Sequence, residues 1–248
     1  MSNAPRASSL FHFTRSIDVL QSILKDGFWP RYCLEDVQWQ GRANYEFIAF
    51  PMSCFCDIPI SRISEHVGFY GSYGIGLTKQ WGVKNNLNPV IYFSGDNPVH
   101  DAIKSLTVVV NGLPDAKEKE AGLRNVRYLL AHSKPVTGRM IVAGQPVHKE
   151  FYQETEWRFV PQHPDVQDHL LRHVFDDVAE LAKKNAITSE KCRLKVAPTD
   201  IRYIFVPTDA DIPLIMNFLQ IHLDHLPNAD LKVLMSRVTS LESVSSDV

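Results

Sequence analysis

Surplus charge, cysteine and long apolar runs are all scarce in this chain, and each scarcity removes a class of protein. With 26 Lys and Arg against 28 Asp and Glu, the formal net charge is −2. No overall positive field therefore gathers nucleic acid or an anionic membrane, and only a local basic groove stays open. Four cysteines, Cys33, Cys54, Cys56 and Cys192, are too few and too irregularly spaced for the disulfide framework of a secreted domain, so reduced thiols are expected. No window is apolar enough for a membrane-spanning helix, and the first nine residues hold no apolar stretch of the signal-sequence kind. Cytoplasmic localisation and no membrane partner are the expectation.

What is present reads as an ordinary globular chain. Apolar residues make up 44% and charged residues 22%, enough to bury a sizeable core. One domain over residues 9–242 is expected, with 1–8 disordered or a tag remnant and 243–248 frayed. Ser9 to Thr14 reads as a strand. Ile17, Leu20, Ile23 and Leu24 then recur at helical spacing between Ser16, a plausible N-cap, and Gly27, a plausible stop. Phe47 to Phe55 reads as a buried strand with a bulge or edge at Pro51. Tyr73 to Thr78, Asn88 to Phe93, Glu156 to Val160, Cys192 to Val196, Ile201 to Val206 and Leu231 to Leu234 read as further strands. Helices are expected at 63–70, 116–132, 173–184 and 211–222, while Leu106 to Val110 is too short to classify.

Several stretches resemble a known family. Phe11-His12-Phe13-Thr14, Leu24-Lys25-Asp26-Gly27-Phe28, Pro51 to Pro59 (PMSCFCDIP), His66, Tyr70 to Lys79 and Asn88 to Tyr92 together resemble the AbiGi-type pattern of bacterial abortive phage-resistance proteins. The resemblance is strong over the first hundred residues and looser beyond. It implies a role in abortive infection, in a family often labelled as the antitoxin of a toxin–antitoxin pair, so a cognate toxin or antitoxin is the partner it suggests. A more distant resemblance is to the His-Tyr-Glu ADP-ribosyltransferases. There a His-bearing strand, a helix ending in Leu-x-x-Gly, a Gly-x-Gly-Ile strand and a strand with a catalytic Glu follow in that order. His12, the helix end Ile23-Leu24-Lys25-Asp26-Gly27, the stretch Tyr73-Gly74-Ile75-Gly76 and Glu156 match that order.

The second resemblance implies a bent, mostly antiparallel sheet with flanking helices, an α/β chain of α+β type with the ADP-ribosyltransferase fold. It also implies NAD as the substrate, with ADP-ribose passed to an acceptor. Cleaving the nicotinamide–ribose bond builds positive charge on the sugar, which a carboxylate stabilises most in the transition state; Glu156 is the candidate. His12 is placed to bond a ribose hydroxyl, and the backbone of Phe13 and Thr14 to pair with the nicotinamide amide. Gly74 and Gly76 would admit the cofactor closely, and Tyr73 or Tyr92 would supply the stacking ring that this class carries after Gly-x-Gly-Ile.

Each residue also has a plainer explanation. Glu156 has Arg158 two residues on, as in a strand-edge ion pair. His12 lies between two phenylalanines, like a satisfied core histidine, and the glycines suit a turn and a crowded strand. Cys54, Cys56, Cys33, Cys192 and His66 offer zinc-ligand chemistry without paired Cys-x-x-Cys spacing, so no metal is expected. A Cys–His nucleophile, or His12 and His66 as acid and base on RNA, would need a geometry that spacing does not supply. Lys183 to Lys195 reads as a solvated face, leaving nucleic acid only as a modification target. The rival to an enzyme is a partner-binding antitoxin with an aromatic surface at Trp29, Tyr32 and Trp39.

Overall fold

The computed structural model describes residues 8–41, 45–142 and 145–246. It is a mixed α/β structure in which antiparallel strand pairs predominate. The chain gathers into two compact units. One comprises the described residues of Met1–Phe28, Cys54–Leu87 and Leu194–Val248; the other those of Trp29–Ser53 and Asn88–Arg193.

The first unit is organised by the strand Ser9–Thr14. It pairs antiparallel with Tyr73–Thr78 along its whole length, Phe11 opposite Gly76 and Phe13 opposite Gly74. Tyr73–Thr78 pairs in turn with Ile201–Val206, which takes Val238–Ser240 as a parallel neighbour. On the other side Phe11 pairs with Cys56. Alternation sends Phe11 and Phe13 to one face, where they meet Ile58, Ile63, Phe205 and Leu241 in a buried cluster. A Cβ on Gly74 would lie 2.6 Å from the Phe13 ring, and one on Gly76 would lie 2.8 Å from Phe11 and 2.9 Å from Tyr203. Both glycines are thus seats for aromatic rings of the adjacent strands.

The helix Ile17–Asp26 starts and stops as its sequence predicts. Ser16 accepts from the Asp18 N–H, and the Gly27 N–H donates to the Ile23 carbonyl, while Leu20, Ile23 and Leu24 are buried. Two strand expectations fail here. Leu231 to Leu234 lies within the helix Asn228–Met235, because a four-residue apolar run carries no decisive period. Cys192 to Val196 supplies only a bridge, Leu194 with Phe28. Ser243 to Ser246 close the helix Leu241–Ser246; residues 1–7 and 247–248 lie outside the described residues.

In the second unit Arg31–Asp36 pairs with Phe47 to Met52 in unbroken register, Tyr32 opposite Pro51. Of the bulge or edge expected at Pro51, the bulge is absent from this pairing. Proline has no N–H to give, and the Tyr32 N–H turns to the Asn185 side chain at 3.0 Å. Leu170 pairs with Ala49, and both are buried with Tyr32. Asn88–Pro89 pairs with Glu156–Phe159, and Ile91–Phe93 with Ser133–Pro135. The expected strand Asn88 to Phe93 is therefore two pieces, divided at Val90, whose N–H reaches the Glu156 carbonyl. The unclassified Leu106 to Val110 belongs to the helix Pro98–Asn111, capped by the Asn97 side chain, and Ala116–Ala131 follows, capped by Asp115. The helix expected at 173–184 is Arg172–Asp176 followed by Val178–Lys191, with Asp177 capping the second.

Candidate functional site

In the strand Glu156–Phe159 alternation puts Glu156 and Arg158 on one face, and both are buried. Arg158 Nε donates to Glu156 Oε1 at 2.7 Å, its second nitrogen reaches Glu156 Oε2 at 3.2 Å and Glu35 at 3.0 Å, and its third donates to the Ala131 carbonyl at 2.6 Å. Lys134 lies 2.8 Å from Glu156 and 3.8 Å from Glu154, and Lys149 lies 2.6 Å from Glu154. Three carboxylates thus face three cations. Between the two glutamates Thr155 takes φ 42°, a left-handed conformation that a β-branched residue rarely adopts. This turn brings Glu154 and Glu156 to the same lysine.

The electrostatics follow from that packing. Burial pushes the Glu156 carboxyl up, yet Arg158 and Lys134 outweigh it and hold the group well below the usual carboxylate range. Burial likewise works against the Lys134 charge, and Glu156 and Glu35 overcome it, raising that ammonium above its ordinary value. Tyr92 is raised, chiefly by burial, and its hydroxyl accepts the Glu156 backbone N–H at 2.8 Å. Cys33 is pushed up to about 12 by burial and then by Glu35, so it is a protonated thiol at neutral pH. The expected strand-edge ion pair is in fact a fully buried one.

His12 belongs to the first unit. Its Nδ1 lies 2.8 Å from the Cys54 carbonyl, so this nitrogen carries the proton. The ring meets Phe28 edge-on at 5.2 Å and Phe55 at 5.6 Å, and these two pack on Trp81, whose indole N–H donates to the Lys195 carbonyl. Phe13 is core, and Thr14 and Tyr73 are opposed at the end of their strand pair. The structure therefore brings His12, Phe13, Thr14, Tyr73, Gly74 and Gly76 together in one unit, and Tyr92 with Glu156 in the other.

Burial holds both His12 and His132 below the ordinary histidine pKa. Unfolded, each takes up a proton below about pH 6.5. Their contribution to stability is therefore complete above that pH and declines as pH falls toward the folded-state values, by at most ~1.4 kcal/mol per pH unit for each group. His12→Asn keeps a donor for the Cys54 carbonyl and removes one titration. Urea unfolding at pH 7 and pH 5 is expected to show a shallower loss in the variant; an identical loss would dismiss His12 as the source.

Other features anticipated from sequence take ordinary structural places. Tyr32 is 4% exposed and its hydroxyl donates to the Gln167 carbonyl, so it is no surface aromatic. Trp29 lies under the Arg31 guanidinium at 4.2 Å. Lys183 and Lys191 pair with Glu180 and Glu190. Among the described residues no cluster of three His, Cys, Asp or Glu side chains is arranged to hold a metal ion, and no helix is long and apolar enough to cross a membrane. Sequence reasoning missed Lys134 as a partner of Glu156 and Glu35 as a partner of Arg158. Their distance along the chain hid them, although Glu-x-Arg on a strand signalled a one-face pair.

Comparison with known proteins gives two matches. The family model described as "Putative abortive phage resistance protein AbiGi, antitoxin" matches residues 26–207. "Abortive phage resistance protein AbiGi" of Lactococcus lactis subsp. cremoris is 24% identical over 246 residues, covering 89% of this chain and 99% of its own length. No solved structure matches the chain.

Proposed function

The chain belongs to the AbiGi family of abortive phage resistance proteins, and from that premise we propose that it acts as the antitoxin side of such a defence by binding a toxin protein. The observation that carries this reading is an apolar stripe on the helix Pro98–Asn111. Val99, Ala102, Leu106 and Val109 recur at three- and four-residue spacing, and Val99, Leu106 and Val109 are 60%, 42% and 65% exposed. Such a row gains from an apolar counterpart and contributes nothing to this chain's own core.

The competing proposal is NAD binding with transfer of ADP-ribose through Glu156. Its residues fit the cofactor poorly. The space at Gly74 and Gly76 is taken by the rings of Phe11, Phe13 and Tyr203, and the Glu156 carboxylate is already engaged by Arg158 and Lys134. A carboxylate neutralised in the ground state has less field left for a developing cation. An ADP-ribosyltransferase fold remains part of that competing proposal.

The test is co-expression with the product of the adjacent gene. The wild type is expected to co-elute with it and relieve its toxicity. Leu106→Lys/Val109→Lys is expected to lose both effects while keeping its Tm, since both positions face water. Saturable NAD binding by calorimetry, abolished by His12→Ala, would overturn the partner reading in favour of the transferase.

A further inference from the structure

The loop ahead of the strand Leu170–Leu171 carries a histidine that neither reading above uses. His169 Nδ1 lies 2.9 Å from Asp168 Oδ1, and Arg127 Nε donates to the other oxygen of that carboxylate at 2.6 Å. Burial works against the Asp168 charge, and the bonds from His169 and Arg127 outweigh it, holding the carboxyl below its ordinary value. An ionised carboxylate only accepts, so the proton sits on Nδ1 and Nε2 of the neutral ring keeps its lone pair. The side chain is 26% exposed. Among the described residues no hydroxyl or thiol is bonded to Nε2. There is thus no Ser, Thr or Cys for this Asp–His pair to activate, and the nucleophile that the geometry offers is the imidazole itself.

The loop is fixed before any reaction. Two arginines one turn apart on the helix Ala116–Ala131 hold it, Arg124 through the His163 carbonyl at 3.2 Å and Arg127 through Asp168. The Tyr32 hydroxyl donates to the Gln167 carbonyl, and Val166 between them is buried. His169 therefore meets an electrophile already oriented. Attack by Nε2 turns the ring into an imidazolium, and Asp168 on Nδ1–H stabilises that charge as it develops. The ring charge in turn favours a transferred group that is itself an anion. A phosphoryl group meets that condition, whereas an acyl group would leave an acyl-imidazolium open to water.

We propose that His169 is a phosphoryl-acceptor site, modified on Nε2 by a small donor of the phosphoramidate or acyl phosphate class. The Nε2 lone pair forms the N–P bond as the donor's P–N or P–O bond breaks, and the electron pair of that bond leaves with ammonia or a carboxylate. Nδ1 keeps its proton on Asp168. Nothing in the reaction involves the apolar stripe, so either proposal can fail without the other.

Incubating the whole chain with phosphoramidate at neutral pH tests it, with peptide mass mapping for the site and phosphorus NMR for the ring nitrogen. His148, His173, His222 and His225 are exposed and serve as standards within the same molecule. His169 is expected to be phosphorylated about tenfold faster than any of them, although it is less exposed, and on Nε2. Asp168→Asn keeps an acceptor for Nδ1–H and removes the charge. It is expected to bring the His169 rate down to that of the exposed histidines while theirs stay unchanged; should it not fold, the comparison within the wild type decides alone. A His169 rate no higher than the standards, modification on Nδ1, or an undiminished rate in folded Asp168→Asn would overturn the proposal.

Discussion

Arg158→Met is expected to cost the fold about 3–5 kcal/mol, the range for breaking one side of a buried ion pair. Arg158 is 0% exposed and is the common donor to Glu156, Glu35 and the Ala131 carbonyl. Methionine fills much of the volume and supplies none of those bonds, leaving Glu35 and the carbonyl unsatisfied and Glu156 with Lys134. Glu156→Gln in the same background should cost less than it does alone, because the carboxylate it neutralises has already lost its principal cation. Urea unfolding of the two single variants and the double variant measures this coupling. A loss under about 1 kcal/mol for Arg158→Met would mean that the cluster is hydrated and not a structural unit. The acid side gives a second readout. Glu156 is held below its unfolded value, so its contribution is present above about pH 4.3 and is lost as pH falls through the folded-state pKa; without Arg158 the folded-state pKa rises, so that loss is smaller and is complete at higher pH.

The same cluster shows how far a single sequence can be read. Glu156-Trp157-Arg158-Phe159 alternates visibly, so strand and shared face were both legible. Burial was not, because an exposed pair and a buried one have the same spacing, and the deciding residues, Lys134 and Glu35, lie far along the chain. Ser16 and Gly27 were legible for the opposite reason, since caps act within a few residues. Gly74 and Gly76 were legible as a crowded strand, but what crowds them depends on register with Phe11 and Phe13. Leu231 to Leu234 shows the limit for short apolar runs, whose identity is decided by what they pack against.

Gly27→Ala is expected to destabilise the chain by about 3 kcal/mol or more, lowering Tm by roughly 6–12 °C for a protein of this size. Two independent facts meet at this residue. Its φ of 86° with ψ of −178° is a conformation essentially confined to glycine. Its missing Cβ would also stand 2.2 Å from the Leu194 carbonyl oxygen and 3.0 Å from the Leu194 carbonyl carbon. Backbone atoms cannot swing aside as a side chain does, and these are held by the reciprocal Phe28–Leu194 bonds of 2.9 and 2.6 Å. Relief would have to open that bridge and carry Phe28 away from His12, Phe55 and Trp81. Gly68→Ala is the control. Gly68 lies in the helix Ile63–Tyr70 with nothing within 4 Å of a new Cβ, so the same methyl group should there stabilise by roughly 0.4–1 kcal/mol. Thermal unfolding of both variants would separate the two cases. Equal shifts would mean that the close approach at Leu194 is not maintained in solution and that the helix end is free to move.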